Sequence, residues 1–114
     1  MALPRIDYVE LPSVTAHEVT RGFYAKAFGW KFTNFGSDYA ATTTDDVDVG
    51  LNGQPDEALS APLPVIRVDD LEAVFDAVTK AGGLIAKPIF SFPGGRRFHF
   101  VDPSGSELAV WSKA

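Results

Sequence analysis

The sequence predicts an α+β fold in which two tandem β-α-β-β-β repeats form an incomplete curved barrel with the helices outside. Candidate helix starts at Thr15 and Asp70 are 55 residues apart by subtraction, and candidate helix ends at Gly29 and Gly83 are 54 apart. Each predicted helix follows one strand-like run and precedes three others. Because one such unit would leave a sheet face bare, two units are expected to share a concave cavity that suits a small molecule.

The first predicted repeat covers about residues 5–52 and starts with a strand at 6–11. Strand alternation places Tyr8 and Glu10 on one face of that strand. Three further strand-like runs, separated by turn-forming residues, lie at 30–35, 39–44 and 47–51. A polar, turn-rich linker at 53–61 leads into the second repeat.

Both predicted helices have start signals and glycine stops. Thr15 and Glu18 have the spacing of a capping box, and Asp70 is a suitable cap for the second helix. Gly29 and the pair that ends at Gly83 are suited to end the two helices. Apolar residues recur at helical period on both, as Ala16, Val19, Phe23, Tyr24, Ala27 and Phe28 and as Leu71, Val74, Phe75 and Val78.

The second predicted repeat covers about residues 62–112, with strands at 64–68, 84–90, 96–101 and 107–111. In the third of these strands, Arg97 and His99 alternate with Phe98 and Phe100. The two phenylalanine rings are expected to pack against a helix. Arg97 and His99 should then face the cavity.

Composition predicts one soluble globular domain over residues 1–114, with 46% hydrophobic and 22% charged residues. No apolar run reaches the length of a membrane span, and the first residues lack a secretion signal, so we expect a cytoplasmic protein. The absence of cysteine excludes disulfides and thiolate chemistry. A formal net charge of −5 argues against a nucleic-acid partner. The pair Arg96-Arg97 could instead meet one anionic group on a small molecule.

Four stretches resemble the vicinal oxygen chelate superfamily, which includes glyoxalases, bleomycin-resistance proteins and extradiol dioxygenases. They are YVELP at 8–12, GFYAKAFGW at 22–30, VDDLEAVFDAVTKAGG at 68–83 and DPSGSELAVW at 102–111. The resemblance covers essentially the whole chain. It implies the predicted repeat fold, a ligand cavity on the concave face and a homodimer.

The resemblance also implies positions for a divalent metal on the concave face. One ligand position falls on Tyr8, its counterpart near Leu63, and a third on Glu107. The fourth lies within residues 48–52. Zinc, iron and manganese sites use three or more His, Asp, Glu or Cys ligands. Tyr8 and Leu63 are not such ligands, so the full metal site of the superfamily is not expected, while a divalent metal with Glu107 as its candidate ligand stays possible.

The candidate ligand-binding residues are Tyr8, Glu10, Arg97, His99, Glu107 and Trp111. If Glu107 is buried without a metal, it must pair with a donor such as Arg97, His99 or Tyr8, or have a raised pKa. In the second case it becomes a candidate acid or base.

Other motifs are interpreted as surface, turn or loop segments. His17 is expected at the surface, and Asp45, Asp46 and Asp48 in a solvated turn, because their spacing lacks a calcium loop. The glycine-rich loop at 91–95 lacks the phosphate-loop spacing and is expected to be a flexible hairpin loop beside the cavity, a candidate lid.

Three functions agree with the sequence. The first is a bleomycin-resistance-like protein that binds a small aromatic or anionic molecule without the full metal site. The second is a divergent metal-dependent lyase, isomerase or dioxygenase that uses Glu107. The third is a non-catalytic regulatory or partner-binding subunit. The aromatic residues Trp30, Tyr39, Phe90 and Trp111 favour the first function.

Overall fold

The computed structural model describes residues 3–44, 46–57 and 60–113. Asp45 of the predicted turn, Ala58 and Leu59 of the predicted linker, and the ends of the predicted domain at 1–2 and 114 lie outside the described residues. The chain forms two compact units. The first contains Tyr8–Leu63, and the second contains Pro64 onwards together with the residues before Tyr8.

The first unit has the order strand, helix, three strands. Its elements are β1 (Arg5–Pro12), α1 (His17–Phe28), β2 (Thr33–Asn34), β3 (Tyr39–Ala41) and β4 (Asp48–Asn52), followed by a 3-10 turn at Pro55–Glu57. The sheet order is β2-β3-β4-β1. β4 is parallel to β1 and antiparallel to β3, and β2 is antiparallel to β3.

The second unit repeats this plan and confirms the predicted α+β fold of two β-α-β-β-β repeats. Its elements are β5 (Leu63–Arg67), α2 (Leu71–Lys80), β6 (Leu84–Phe92), β7 (Gly95–Val101) and β8 (Glu107–Ser112). The sheet order is β5-β8-β7-β6, in which only the β5–β8 pair is parallel. β6 and β7 extend to within two residues of each other, so the predicted loop at 91–95 is instead a tight hairpin turn, too short for a lid.

The core of the second unit lies between α2 and one sheet face. Val68, Leu71, Phe98 and Val110 are buried together, and the rings of Phe75 and Phe98 meet edge to face at 5.0 Å. The predicted packing of the phenylalanine face against a helix is thus confirmed. The predicted cap is confirmed as well, because Asp70 Oδ1 accepts a hydrogen bond from the Ala73 amide at 3.1 Å.

Helix α1 differs from its prediction at its start. The predicted capping box is wrong, because the helix begins one residue after Ala16, whose side chain cannot cap it. Glu18 instead forms an ion pair with Arg21. Its C-terminus follows the prediction, with Gly29 at φ 71° in the left-handed region that glycine favours.

The apolar stripe of α1 faces outward rather than into a core. Val19, Phe23 and Phe28 are 74%, 58% and 61% exposed. The polar side of the helix makes the contacts instead. His17 Nδ1 hydrogen-bonds Ser13 Oγ at 2.7 Å, and Arg21 donates to Asn34 Oδ1 at 3.0 Å. His17, predicted at the surface, is therefore half-buried.

Neither helix in the described residues has the length and apolar character needed to cross a lipid bilayer.

Candidate functional site

Arginine side chains and aromatic rings form a row on the sheet face of the second unit opposite α2. The row consists of Arg67, Trp111, Phe92, Arg97 and Phe90. The Arg67 guanidinium lies 5.1 Å from the Trp111 ring centre, and that of Arg97 lies 5.4 Å from Phe90 and 5.8 Å from Phe92. The rings of Phe92 and Trp111 are 6.2 Å apart. These distances make the arginine–aromatic row continuous across the sheet, with cations within cation–π range of the rings.

Strand register explains the row. Arg97 is paired with Trp111 on β8 and with Phe90 on β6, while Arg67 on β5 is paired with Trp111 from the other side. Paired residues of neighbouring strands point to the same face. The Trp111 indole is further oriented by donating from Nε1 to Asp7 Oδ1 at 3.0 Å.

His99 is the partner of Glu107. Its Nδ1 lies 2.8 Å from Glu107 Oε2, and its ring, fully buried, lies 5.9 Å from that of Phe90. The Glu107 side chain is 42% exposed, so the burial that would make it a candidate acid or base is not present. Of the three partners predicted for Glu107, the structure brings His99 to it.

Burial lowers the pKa of His99, and the positive charges of Arg97 and Lys87 act in the same direction. The hydrogen bond to Glu107 opposes this shift without cancelling it. A neutral imidazole that faces a carboxylate donates from Nδ1, which leaves Nε2 as an acceptor. Nε2 is buried and has no hydrogen-bond partner in the described part of the chain. A bound molecule with a donor group could satisfy it.

A second polar cluster lies in the first unit, on the sheet face opposite the one that α1 contacts through Asn34. Tyr8 and Tyr39 meet through their hydroxyls at 2.6 Å, and the Tyr39 hydroxyl donates to Glu10 Oε2 at 2.9 Å. Asn52 Nδ2 donates to the other oxygen of Glu10 at 3.2 Å. Glu10 is 2% exposed, whereas both tyrosines are half-buried. We call these four residues the tyrosine–glutamate cluster.

Gly50 makes room for the tyrosine–glutamate cluster. It is paired with Glu10, and a Cβ built on it would lie 2.4 Å from the Tyr39 hydroxyl and still nearer that of Tyr8. No side chain fits there while the two hydroxyls meet. Burial and the nearby Glu10 and Tyr8 raise the pKa of Tyr39 well above its usual range. The Tyr39 hydroxyl therefore stays protonated and acts as a donor to Glu10.

The strand pairing identifies which residue within 48–52 corresponds to Glu107 of the second repeat. An offset of 55 residues, that between the predicted helix starts, relates Glu10 to Val65. Glu10 is paired with Gly50, and Val65 with Ala109. Asp48 precedes Gly50 by the same two positions that separate Glu107 from Ala109. Asp48 is thus the first-repeat counterpart of Glu107.

A model of the Glyoxalase/Bleomycin resistance protein/Dioxygenase superfamily matches residues 5–110. The chain belongs to this superfamily. It is 29% identical over 92% of its length to “Putative glyoxylase CFP32” of Mycobacterium bovis and Mycobacterium tuberculosis. The chain spans only 44% of the length of these curated relatives.

Two solved structures from the superfamily share the fold. The Mn(II)-bound glyoxalase from Novosphingobium aromaticivorans has a TM-score of 0.70 at 21% identity, covering 97% of this chain and 40% of its own. A superfamily member from Vibrio splendidus 12B01 has a TM-score of 0.68 at 20% identity, covering 96% of this chain and 99% of its own.

Donor atoms at the superfamily's metal positions do not fit a metal in this chain. The Leu63 side chain has no atom that can donate electrons to a metal, and the Tyr8 hydroxyl is hydrogen-bonded to that of Tyr39. Asp48 Oδ1 accepts three hydrogen bonds from two threonines of the preceding turn, and Glu107 is bonded to His99. Within the described residues, no three His, Asp or Glu side chains come together to hold an ion.

Sequence reasoning found most of the two sites but missed some members. It assigned Tyr8, Glu10, Arg97, His99, Glu107 and Trp111 to a single cavity. It missed Arg67, Phe92 and Asn52, and it did not link Tyr39 to Glu10. Strand alternation in 64–68 could have indicated Arg67, because that residue shares a face with Val65. Trp30, counted among the binding aromatics, stacks on Tyr24 of α1 at 5.4 Å instead.

Replacing Gly50 with alanine should lower the free energy of unfolding by roughly 1–3 kcal/mol, the cost of forcing atoms into packed space. The matched control is Gly22→Ala in α1, where an added Cβ meets nothing within 4 Å. That change should stabilise the protein by about 0.5–1 kcal/mol, because alanine favours a helix over glycine. Urea unfolding of both variants tests this. If both substitutions changed the free energy of unfolding equally, the close packing at Gly50 would be contradicted.

The lowered pKa of His99 predicts a pH dependence of stability. Because its pKa is lower in the folded than in the unfolded protein, the unfolded chain binds the proton more readily. His99 therefore contributes stability that is fully present above its ordinary pKa of about 6.5 and is lost as the pH falls below that value. Unfolding midpoints of the wild type and His99→Gln, measured from pH 8 downward, should converge on acidification. If the difference between the two unfolding midpoints widens instead, the ion pair with Glu107 outweighs burial in its effect on the pKa of His99.

Proposed function

We propose that this protein binds a small anionic aromatic molecule against the arginine–aromatic row, without the full metal site of the superfamily. The observation that carries the proposal is the position of Arg97 over two rings at once, Phe90 and Phe92. A flat ligand can lie on such rings, and its anionic group can pair with the same guanidinium. The row thus offers apolar area and a charge within one site.

His99 extends this site without adding a charge. Its lowered pKa keeps the imidazole neutral at pH 7, so the anion is recognised by arginine. The buried acceptor at Nε2 suits a hydroxyl or amide on the ligand. A hydroxylated arene carboxylate combines all three features. Unpaired buried polar atoms are costly in folded proteins, and a bound donor would remove that cost here.

The two alternative functions are retained as further proposals. The curated relatives are named as a glyoxylase, and a lyase, isomerase or dioxygenase that used Glu107 would act through the face that carries His99. A regulatory or partner-binding subunit would make no use of the row. Cytoplasmic residence also remains a proposal. Binding measurements on the row separate the first function from the third.

Replacing Arg97 with methionine tests the binding proposal. The probe is 2-naphthoate, followed by quenching of tryptophan fluorescence, with neutral 2-naphthamide as the ligand control. We expect saturable binding of the acid and a loss of about tenfold to a hundredfold in affinity for Arg97→Met, the value of a charge-assisted hydrogen bond.

The matched control is Arg96→Met. Arg96 is the neighbouring residue, but its guanidinium is hydrogen-bonded to Glu72 of α2 on the opposite face, so its loss should leave affinity unchanged. Equal losses from Arg96→Met and Arg97→Met would show general electrostatic attraction rather than a site. Failure of the wild type to bind 2-naphthoate would overturn the proposal.

We also propose the expected homodimer, formed through the outer side of α1. Five rings of the first unit lie in contact there with centroid distances of 5.1–6.5 Å, namely Phe23, Tyr24, Phe28, Trp30 and Phe32. Large contiguous apolar patches on a surface mark sites of association. A second copy of the chain would cover this patch.

Sedimentation velocity of Phe23→Glu tests the homodimer. The wild type should sediment as a dimer and the variant as a monomer, because a carboxylate at a buried interface must be desolvated. Val47→Glu is the control, since Val47 is exposed to a similar degree but is remote in sequence from α1. A monomeric wild type would refute the homodimer, and dissociation by both variants would place the interface elsewhere.

A further inference from the structure

A cavity of about 300 Å³ lies at one end of the arginine–aromatic row. It is lined by Arg5, Arg67, Val68 and Asp69. Arg67 belongs to both the cavity and the row, because its guanidinium lies 5.1 Å from the Trp111 ring centre. Ligand pockets in proteins have volumes of roughly 300–1,000 Å³. The cavity is at the small end of that range, so it suits one terminal group of a ligand whose rings lie on the row.

Strand alternation explains why Arg5 reaches this end of the row. Arg5 and Asp7 are two residues apart on β1, so their side chains point to the same face of the strand. Asp7 points toward the row, because its Oδ1 accepts a hydrogen bond from Trp111 Nε1 at 3.0 Å. Arg5 also belongs to the same compact unit as Arg67 and Trp111. It therefore lines the cavity from the side on which the row lies.

The cavity carries an excess of positive charge. Two guanidinium groups line it against one carboxylate, that of Asp69. Like charges on one cavity repel each other, and an anion bound between them removes that repulsion. Stacking on Trp111 uses the flat face of the Arg67 guanidinium, so the N–H groups at its edge can donate to a carboxylate. The buried side chain of Val68 adds an apolar wall, which weakens screening by water.

We propose that this cavity binds a second carboxylate, so that the ligands of the row are aromatic dicarboxylates. One carboxylate pairs with Arg97 while the rings lie on Phe92 and Trp111. The other pairs with Arg5 and Arg67. The two rings of the row have centres 6.2 Å apart and stand between the two guanidinium groups, which matches a two-ring arene with a carboxylate at each end. This ligand class rests on the proposed binding function and narrows it, since the arene must lie on the row for the second carboxylate to enter the cavity.

Two ligands that differ by one carboxylate test the proposal, namely 2-naphthoate and 2,6-naphthalenedicarboxylate. Isothermal titration calorimetry of the wild type should give an affinity for the dicarboxylate about tenfold higher than for 2-naphthoate. This is the lower end of what hydrogen bonds between charged groups contribute, because Arg5 is exposed and screened by solvent. Arg5→Met and Arg67→Met should each reduce the ratio of the two affinities toward one, because each removes a cation from the cavity.

The matched control is Lys80→Met. It removes one positive charge from the exposed last turn of α2 and leaves the cavity intact, so the ratio of the two affinities should stay the same. Thermal unfolding of each variant establishes that it is folded.

Three results would overturn the dicarboxylate class while leaving the proposed binding function in place. The first is equal affinity of the wild type for the two ligands. The second is a ratio that survives in both Arg5→Met and Arg67→Met. The third is a ratio that Lys80→Met lowers as much as they do, since net charge would then account for it. A wild type that does not bind 2-naphthoate would instead overturn the proposed binding function, and the dicarboxylate class with it.

Discussion

The parallel pairing of the first and last strands in each unit is the constraint on which both sites depend. Parallel neighbours cannot be joined by a tight turn, so a helix and an antiparallel hairpin must lie between them. The helix contacts one sheet face, and the polar side chains are left on the other. In the first unit this pairing sets Glu10 opposite Gly50. In the second it sets Arg67 opposite Trp111.

The same frame carries different chemistry in its two copies. The first unit encloses a carboxylate among neutral donors, because glycine opposite Glu10 lets two hydroxyls approach it. The second unit places two arginines among rings and keeps its histidine neutral by burial. A repeat therefore fixes where side chains point but not what they are.

The sequence predicted those features that depend on neighbours along the chain. Helix period, the Asp70 cap and the alternation of Arg97 and His99 with phenylalanines are all local, and each matches the structure. Contacts between distant strands were harder. The Tyr39–Glu10 bond joins residues 29 positions apart, and it depends on the register of a three-residue strand whose turn the sequence does not define.

Helix α1 shows a second limit of sequence reasoning. An amphipathic pattern predicts that the apolar side packs inward, because burial of apolar area usually dominates. In α1 the polar side makes hydrogen bonds to Ser13, just after β1, and to Asn34 of β2, and the aromatic side faces outward. The pattern identifies two faces of a helix correctly without stating which of them the unit itself covers.

Glu107 lies at a position where the superfamily resemblance places a metal ligand, yet here its carboxylate accepts a hydrogen bond from His99 Nδ1. A buried neutral imidazole has one donor and one acceptor, and fixing the donor at Nδ1 fixes the acceptor at Nε2. If the proposed binding function holds, Glu107 would set which kind of group a ligand presents to His99, although its side chain is exposed. A carboxylate at this strand position can thus orient a histidine, a role that requires no ion.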